Sequence, residues 1–136
     1  MKKIIITGSE GLIGSAVTRS LSNSGYECLC LDYKKGHDLS DEAFVRDFFA
    51  KNKASGLVNL FALNHHIDSG EGKTNLFNIS LESFQEYMNI NLTSLFSVCR
   101  EYARNSKEGS IINFSSTYGI DSPRKELYVG EEKHIG

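Results

Sequence analysis

Three glycines near the start of the chain, Gly8, Gly11 and Gly14, stand three residues apart directly after a short apolar run. Glycine lets the backbone turn sharply and approach another group without a Cβ in the way. If a helix begins here, its free N–H groups and the positive end of its dipole face the turn. The spacing therefore predicts a cradle for a pyrophosphate.

A carboxylate follows this turn where a bound dinucleotide would present its ribose. Asp32 comes 18 residues after Gly14, close to the ~20-residue offset at which an acid accepts hydrogen bonds from ribose hydroxyls. A carboxylate repels a 2′-phosphate, so Asp32 favours NAD over NADP. Lys34 and Lys35 keep NADP open, because a lysine can neutralise a phosphate. The alternative is that Asp32 only begins a turn and that both lysines are solvated.

Apolar patterns predict the elements that position these residues. Continuous apolar runs, typical of buried parallel strands, lie at Lys3–Thr7, Glu27–Leu31, Leu57–Leu60 and Ser110–Phe114. Helical spacing of apolar residues predicts helices from Ile13 to about Asn23 with Gly25 as the C-cap, from a cap at Ser40 or Asp41 through Phe49, and over 80–105 after a cap at Ser80. Alternating strands and helices predict an α/β fold with a doubly wound parallel sheet.

Composition narrows the class of protein. A chain of 136 residues predicts a single domain over 1–136. The net charge of −2 argues against nucleic-acid and membrane-surface partners, which favour basic patches. No apolar run is long enough for a membrane span or a signal peptide, and no cysteine pair has zinc or redox spacing, so we expect a cytoplasmic protein with reduced cysteines. His65 and His66 lack a third ligand at zinc spacing, and no metal is predicted.

Five segments resemble, in order, the motifs of the short-chain dehydrogenase/reductase family. They are the T-G-x-x-G-x-x-G turn at Thr7–Gly14, an adenine-contacting segment at His37–Asp41, the start of the L-V-N-N-A-G strand at Leu57–Asn59, the helix asparagine region 89–94, and the strand that delivers a catalytic serine at 111–119. The resemblance implies the N-terminal part of a Rossmann-like fold that binds NAD, with NADP still open. It also implies hydride transfer between nicotinamide and a hydroxyl or carbonyl carbon of a small molecule.

The same resemblance assigns roles to individual residues. Ser116 would hydrogen-bond the substrate oxygen, and Asn91 would interrupt its helix and hold a water of a proton relay. The alternatives are a strand-end serine with a local turn bond and an ordinary helix asparagine. Cofactor contacts fall on Gly8, Ser9, Glu10, Gly11, Leu12, Ile13 and Gly14 at the phosphates, on Asp32, Tyr33, Asp38 and Leu39 at the adenosine, and on Phe61, Ala62 and Leu63 beside the nicotinamide ribose.

Three departures from the family pattern carry expectations of their own. The connection after strand two is short, so we expect this strand to begin the sheet. Phe61 and Ala62 replace smaller residues, which predicts a tighter nicotinamide pocket. There is no Y-x-x-x-K motif, since the residue four after Tyr128 is Glu132. We therefore expect the natural protein to continue past Gly136. Only the first helix covers its face of the sheet, so we also expect the strands at Leu57–Leu60 and Ser110–Phe114 to expose apolar residues on that face.

Three functions stay open at this point. The first is an NAD(P)-dependent oxidoreductase, and the second is a sugar-nucleotide epimerase or reductase of the same superfamily, which fits the glycine spacing and the short connection. The third is a nucleotide-binding module without turnover, favoured by the missing tyrosine–lysine pair. The expected partner is a small molecule, with a sugar or sugar nucleotide as one option. The loop 118–136 resembles oxidoreductases of bacterial surface-sugar and flagellin-modification loci, and the apolar stripe of helix 80–105 predicts a homo-oligomer.

Overall fold

Four parallel strands form one sheet in the computed structural model, which describes residues 1–64, 77 and 79–121. The strands are β1 (Lys3–Thr7), β2 (Glu27–Leu31), β3 (Gly56–Asn59) and β4 (Ser110–Asn113), in the order β2-β1-β3-β4. Each strand is short and apolar, as expected where helices cover a parallel sheet. Strand β2 lies at an edge, which confirms the prediction drawn from its short connection. That connection holds only a 3₁₀ turn before the next helix.

Four α-helices connect these strands in the part of the chain described above. They are α1 (Leu12–Asn23), α2 (Glu42–Lys51), α3 (Leu81–Met88) and α4 (Leu95–Asn105). Asp41, rather than Ser40, caps α2, because its carboxylate accepts the N–H groups of Ala43 and Phe44. Gly25 follows the last turn of α1 at φ +82°, as a left-handed residue after a helix should. A π-helical segment, Asn89–Ser94, separates α3 from α4, so the helix predicted over 80–105 is interrupted in the region where the family resemblance implies a break at Asn91.

The helices lie on both faces of the sheet, so it is doubly wound as predicted. Helix α1 packs against β2 and β1, with Cys28 and Cys30 facing it, whereas α4 packs on β3 with α2 beside it. The core lies on the second face, where Ile5, Leu57, Val45, Phe49, Val98 and Tyr102 are buried together. On the α1 face Ile112 of β4 is 52% exposed while Val58 of β3 is buried. The expected apolar exposure on this face is therefore present at β4 and absent at β3.

Candidate functional site

The glycine turn stands at the carboxyl end of β1, as the sequence predicts. The backbone turns at Gly8 with φ +68°, and the Gly11 N–H donates to the Gly8 carbonyl at 3.1 Å. A Cβ on Gly8 would lie 2.6 Å from the backbone of Leu60 and Phe61, and one on Gly14 would overlap the Gly8 carbonyl oxygen. At Gly8 and Gly14 the turn is therefore packed so closely against α1 and the segment after β3 that a side chain is excluded.

The start of α1 leaves hydrogen-bond donors open beside this turn. Gly11 is the N-cap, no side chain caps the helix, and its first turn carries no acid. Leu12 and Ile13 are exposed, whereas Ser9 is buried. Within the described part of the chain, the Ser9 hydroxyl has no hydrogen-bond partner. Free N–H groups, a helix dipole and an unpartnered buried hydroxyl together fit the oxygens of a bound phosphate group.

Asp32 lies next to this turn, at the carboxyl end of β2. The residue is only 8% exposed. Its carboxylate accepts the backbone N–H groups of Glu10 at 2.8 Å and of Lys34 at 2.9 Å. Each oxygen of an ionised carboxylate can accept a second hydrogen bond. Both oxygens are therefore oriented and still able to accept a ribose hydroxyl. Tyr33, the next residue, is exposed.

Asp38 and Leu39 use their side chains locally. The Asp38 carboxylate accepts the backbone N–H and the hydroxyl of Ser40 at 2.9 and 2.6 Å. Leu39 is buried in the hydrophobic core. A contact from these two residues to an adenine stays a prediction, and the Leu39 side chain has a structural role in any case.

A row of polar side chains crosses the carboxyl ends of three strands. The Thr7 hydroxyl donates to the Asn59 Oδ1 at 3.0 Å, and the Asn59 amide donates to the Asn113 Oδ1 at 2.8 Å and to the Cys99 sulfur at 3.4 Å. Burial raises the pKa of the Cys99 thiol, so it stays protonated at neutral pH. The row ties together the strand ends from which the site segments extend. Sequence reasoning missed it, although the three residues stand at the same register of their strands.

Asn91 lies in the π-helical segment, where the sequence predicts a local interruption of the helix. Its Oδ1 accepts the Leu63 N–H at 2.7 Å, and its amide donates to the Leu63 carbonyl at 3.0 Å. The Ser94 hydroxyl donates to the Asn89 carbonyl at 2.9 Å, a side-chain hydrogen bond that spans the π-helical turn. Asn91 is thus not an ordinary helix residue. It fixes the backbone after β3, while a role in a proton relay stays a prediction.

Ser116 follows β4 and is exposed. Its hydroxyl oxygen accepts the Tyr118 N–H at 3.1 Å and caps a 3₁₀ turn. This is the local turn bond expected of an ordinary serine at the end of a strand. The hydroxyl hydrogen is still available to a ligand. In the part of the chain that the structure describes, no hydrogen bond joins Ser116 to Asn91. Phe61 is half-buried against the core and Ala62 is exposed, while His65, His66, Tyr128 and Glu132 lie outside the described residues.

The segments after β1, β2, β3 and β4 all extend from the carboxyl ends of the strands. Open α/β folds bind their ligands at this end of the sheet. The model of the NAD dependent epimerase/dehydratase family matches residues 4–133 of the sequence. The chain belongs to this family. NAD is its cofactor, and the glycine turn, the Ser9 hydroxyl and the Asp32 carboxylate fit the phosphates and a ribose.

Individual relatives of this epimerase/dehydratase family member include sugar-nucleotide enzymes. UDP-glucose 4-epimerase of Caenorhabditis elegans is 28% identical over 98% of this chain and 43% of its own length. GDP-mannose 3,5-epimerase 1 of Oryza sativa subsp. japonica is 28% identical over 59% of this chain and 19% of its own. The chain therefore spans less than half of each of these two relatives.

Solved structures share the fold of this family member. A short-chain dehydrogenase from Leptospira borgpetersenii with bound NAD+ superposes with a TM-score of 0.75 at 22% identity, over 93% of this chain and 56% of its own. A short-chain dehydrogenase/reductase from Brucella melitensis gives 0.77 at 17% identity, over 90% and 60%. The predicted family resemblance and the Rossmann-like fold class are confirmed.

The described residues of this family member contain neither a candidate metal cluster nor a candidate membrane span. No group of three or more histidine, cysteine or acidic side chains there is arranged to hold a metal ion. None of the helices described has the length and apolar character that crossing a membrane requires.

Proposed function

We propose that this chain is the NAD-binding part of an enzyme that carries out redox chemistry at a hydroxyl-bearing carbon of a sugar nucleotide. The single observation that carries the proposal is the Asp32 carboxylate, buried and oriented by two backbone N–H groups beside a turn that has no room for a side chain at Gly8 or Gly14. The sugar-nucleotide class is supported by the two epimerases among its relatives. We propose 1–136 as one domain in this role and, given three unpaired cysteines, a cytoplasmic location.

Different residues at the carboxyl ends of the strands bind the cofactor, position the backbone and contact the substrate. NAD, when bound, supplies the carbon that accepts and returns the hydride. The start of α1 and the Ser9 hydroxyl bind the phosphates, and Asp32 binds a ribose. Asn91 holds the Leu63 backbone in place, and the Ser116 hydroxyl donates a hydrogen bond to the substrate oxygen. A hydrogen bond that strengthens as charge develops on this oxygen stabilises the transition state more than the ground state.

Titration with NADH, followed by its fluorescence, tests cofactor binding. We expect saturable binding by the unsubstituted chain and at least about tenfold weaker binding by Asp32→Ala, because a hydrogen bond to a charged acceptor contributes roughly 1.5–3 kcal/mol. Asp47→Ala is the matched control, since Asp47 is an exposed acid of α2 paired with Lys51. Equal affinity of Asp32→Ala and Asp47→Ala, with circular dichroism unchanged, would show that Asp32 holds no ribose.

Replacement of each serine after β4 tests the assignment of the substrate contact. With UDP-glucose as the probe substrate, we expect Ser116→Ala to slow the transient change in nicotinamide absorbance during a single turnover about tenfold, the loss of roughly one hydrogen bond. Ser115→Ala is the neighbouring control and should retain the rate. A slower Ser115→Ala variant with a normal Ser116→Ala variant would move the role to Ser115.

A nucleotide-binding module without turnover is the second candidate. The absence of a lysine four residues after Tyr128 and the local hydrogen bond of the Ser116 hydroxyl favour it. NADH binding without any reaction of UDP-glucose would support this candidate over the enzyme.

We also propose self-association through the stripe of apolar side chains along α3, the π-helical segment and α4. These side chains are spaced three to four residues apart and are all at least 41% exposed: Leu81, Phe84, Met88, Leu92 and Phe96. A stripe of this spacing is typical of a helix that packs against another helix.

A further inference from the structure

An ion pair joins the glycine turn to the turn after β2, directly beside Asp32. The Lys35 ammonium lies 2.7 Å from the Glu10 carboxylate, and both side chains are less than half exposed. The backbone N–H of Glu10 donates to one Asp32 oxygen, and that of Lys34 donates to the other. Glu10 therefore binds Asp32 through its backbone and Lys35 through its side chain.

This arrangement decides which charges face the ribose that Asp32 would hold. NADP differs from NAD by a phosphate on that ribose, which carries roughly two negative charges at neutral pH. A lysine ammonium beside the acid can neutralise a phosphate as a point charge. Lys35 stands three residues beyond Asp32 on the same turn, but its ammonium is engaged by Glu10. The hydrogen bond that the Lys35 ammonium donates to Glu10 raises the pKa of Lys35, so the ammonium stays charged at neutral pH.

We propose that Glu10 is a specificity-determining residue that discriminates against NADP by holding the Lys35 ammonium away from a 2′-phosphate. This inference rests on the proposed function, because it requires a dinucleotide whose ribose lies at Asp32. The Asp32 carboxylate repels the phosphate directly, and Glu10 engages one of the two neighbouring lysines that would offset this repulsion. Two acids from different turns thus act on one subsite, and only Asp32 touches the ribose.

Glu10→Gln tests the inference, because glutamine keeps the side-chain length and the backbone N–H that binds Asp32. The readout is the ratio of NADPH to NADH affinity, measured by fluorescence titration at low ionic strength. We expect this ratio to rise roughly fivefold, because the released ammonium can pair with the 2′-phosphate of NADPH. The gain should shrink at high salt, since exposed charges are screened.

Two double variants separate the release of Lys35 from the simple loss of a negative charge. In Glu10→Gln/Lys35→Met the gain should disappear, because the released ammonium is gone. In Glu10→Gln/Lys34→Met, which removes the same charge from the adjacent residue, the gain should remain. A gain that survives Lys35→Met but not Lys34→Met would overturn the role of Lys35.

The titrations also distinguish this inference from the proposed function. If the unsubstituted chain binds neither NADH nor NADPH, the cofactor site itself is wrong and the inference falls with it. If NADH binds and the affinity ratio of Glu10→Gln equals that of the unsubstituted chain, the inference alone is overturned.

Discussion

Replacing Gly14 with alanine is expected to abolish measurable NADH binding and to lower the free energy of unfolding by about 3 kcal/mol. A Cβ at this position overlaps the Gly8 carbonyl oxygen and comes within 2.9 Å of the Ser9 Cα. Both neighbours are backbone, so they cannot rotate away as a side chain would. Either α1 moves away from the turn or the turn opens, and in both cases the phosphate donors lose their arrangement. Urea denaturation and fluorescence titration measure the two effects.

Two further glycines provide graded controls for this substitution. Gly25→Ala places a side chain in open space at φ +82°, so it should cost only about 1 kcal/mol of backbone strain and leave NADH binding in place. Gly11→Ala brings a Cβ to 3.3 Å from the Gly8 carbonyl oxygen and should fall between the two. If Gly14→Ala proves no worse than Gly25→Ala, the close packing of the turn is not what the cofactor site requires.

Asn91→Ala is expected to lower the free energy of unfolding by about 3 kcal/mol. It removes two hydrogen bonds to Leu63 and leaves a partly buried N–H and carbonyl without partners, at roughly 1–3 kcal/mol for each orphaned group. The segment after β3 should then become the first part of the sheet edge to open. Urea denaturation gives the free energy, and amide exchange at Leu63 locates the opening.

Two asparagine variants calibrate this loss. Asn91→Asp keeps the acceptor for the Leu63 N–H and loses the donor to the Leu63 carbonyl, so it should be intermediate. Asn105→Ala removes one bond to the Glu101 carbonyl within its own helix and should cost about 1 kcal/mol. A cost for Asn91→Ala no greater than that for Asn105→Ala would contradict the positioning role.

The sequence predicted the elements best where local chemistry alone determines them. Strands β1 and β2 have the predicted bounds, because each is a continuous apolar run that ends at a residue typical of turns, Gly8 or Asp32. The choice between Ser40 and Asp41 as the α2 cap stayed open, since both residue types favour that position. The helix 80–105 has apolar residues at helical spacing throughout, so its periodicity gives no sign of the π-helical segment. That interruption was expected only from the family resemblance.

The sequence predicted which strand ends form the candidate site. It did not predict which side chains contact one another there. The glycine spacing and the offset of Asp32 identify the phosphate and ribose subsites, because both depend on short stretches of chain. The pair of Glu10 with Lys35 and the row from Thr7 to Asn113 depend on how distant segments meet. Their residue types are common on protein surfaces and in turns. Only the packed sheet shows that they face one another.

The order of the strands also bears on how the chain folds. Glu10 and Asp32 meet across 22 residues, whereas Thr7 meets Asn59 across 52 and Asn59 meets Asn113 across 54. Closing a longer loop costs more chain entropy, and non-local pairings slow folding. The unit β1–α1–β2 therefore has the lowest entropic barrier, and we expect it to form before β3 and β4 dock. This early unit and the turn after it already contain the glycine turn, Asp32 and the Glu10–Lys35 pair, so the half of the proposed site that would bind adenosine assembles ahead of the half that would hold the reacting ring.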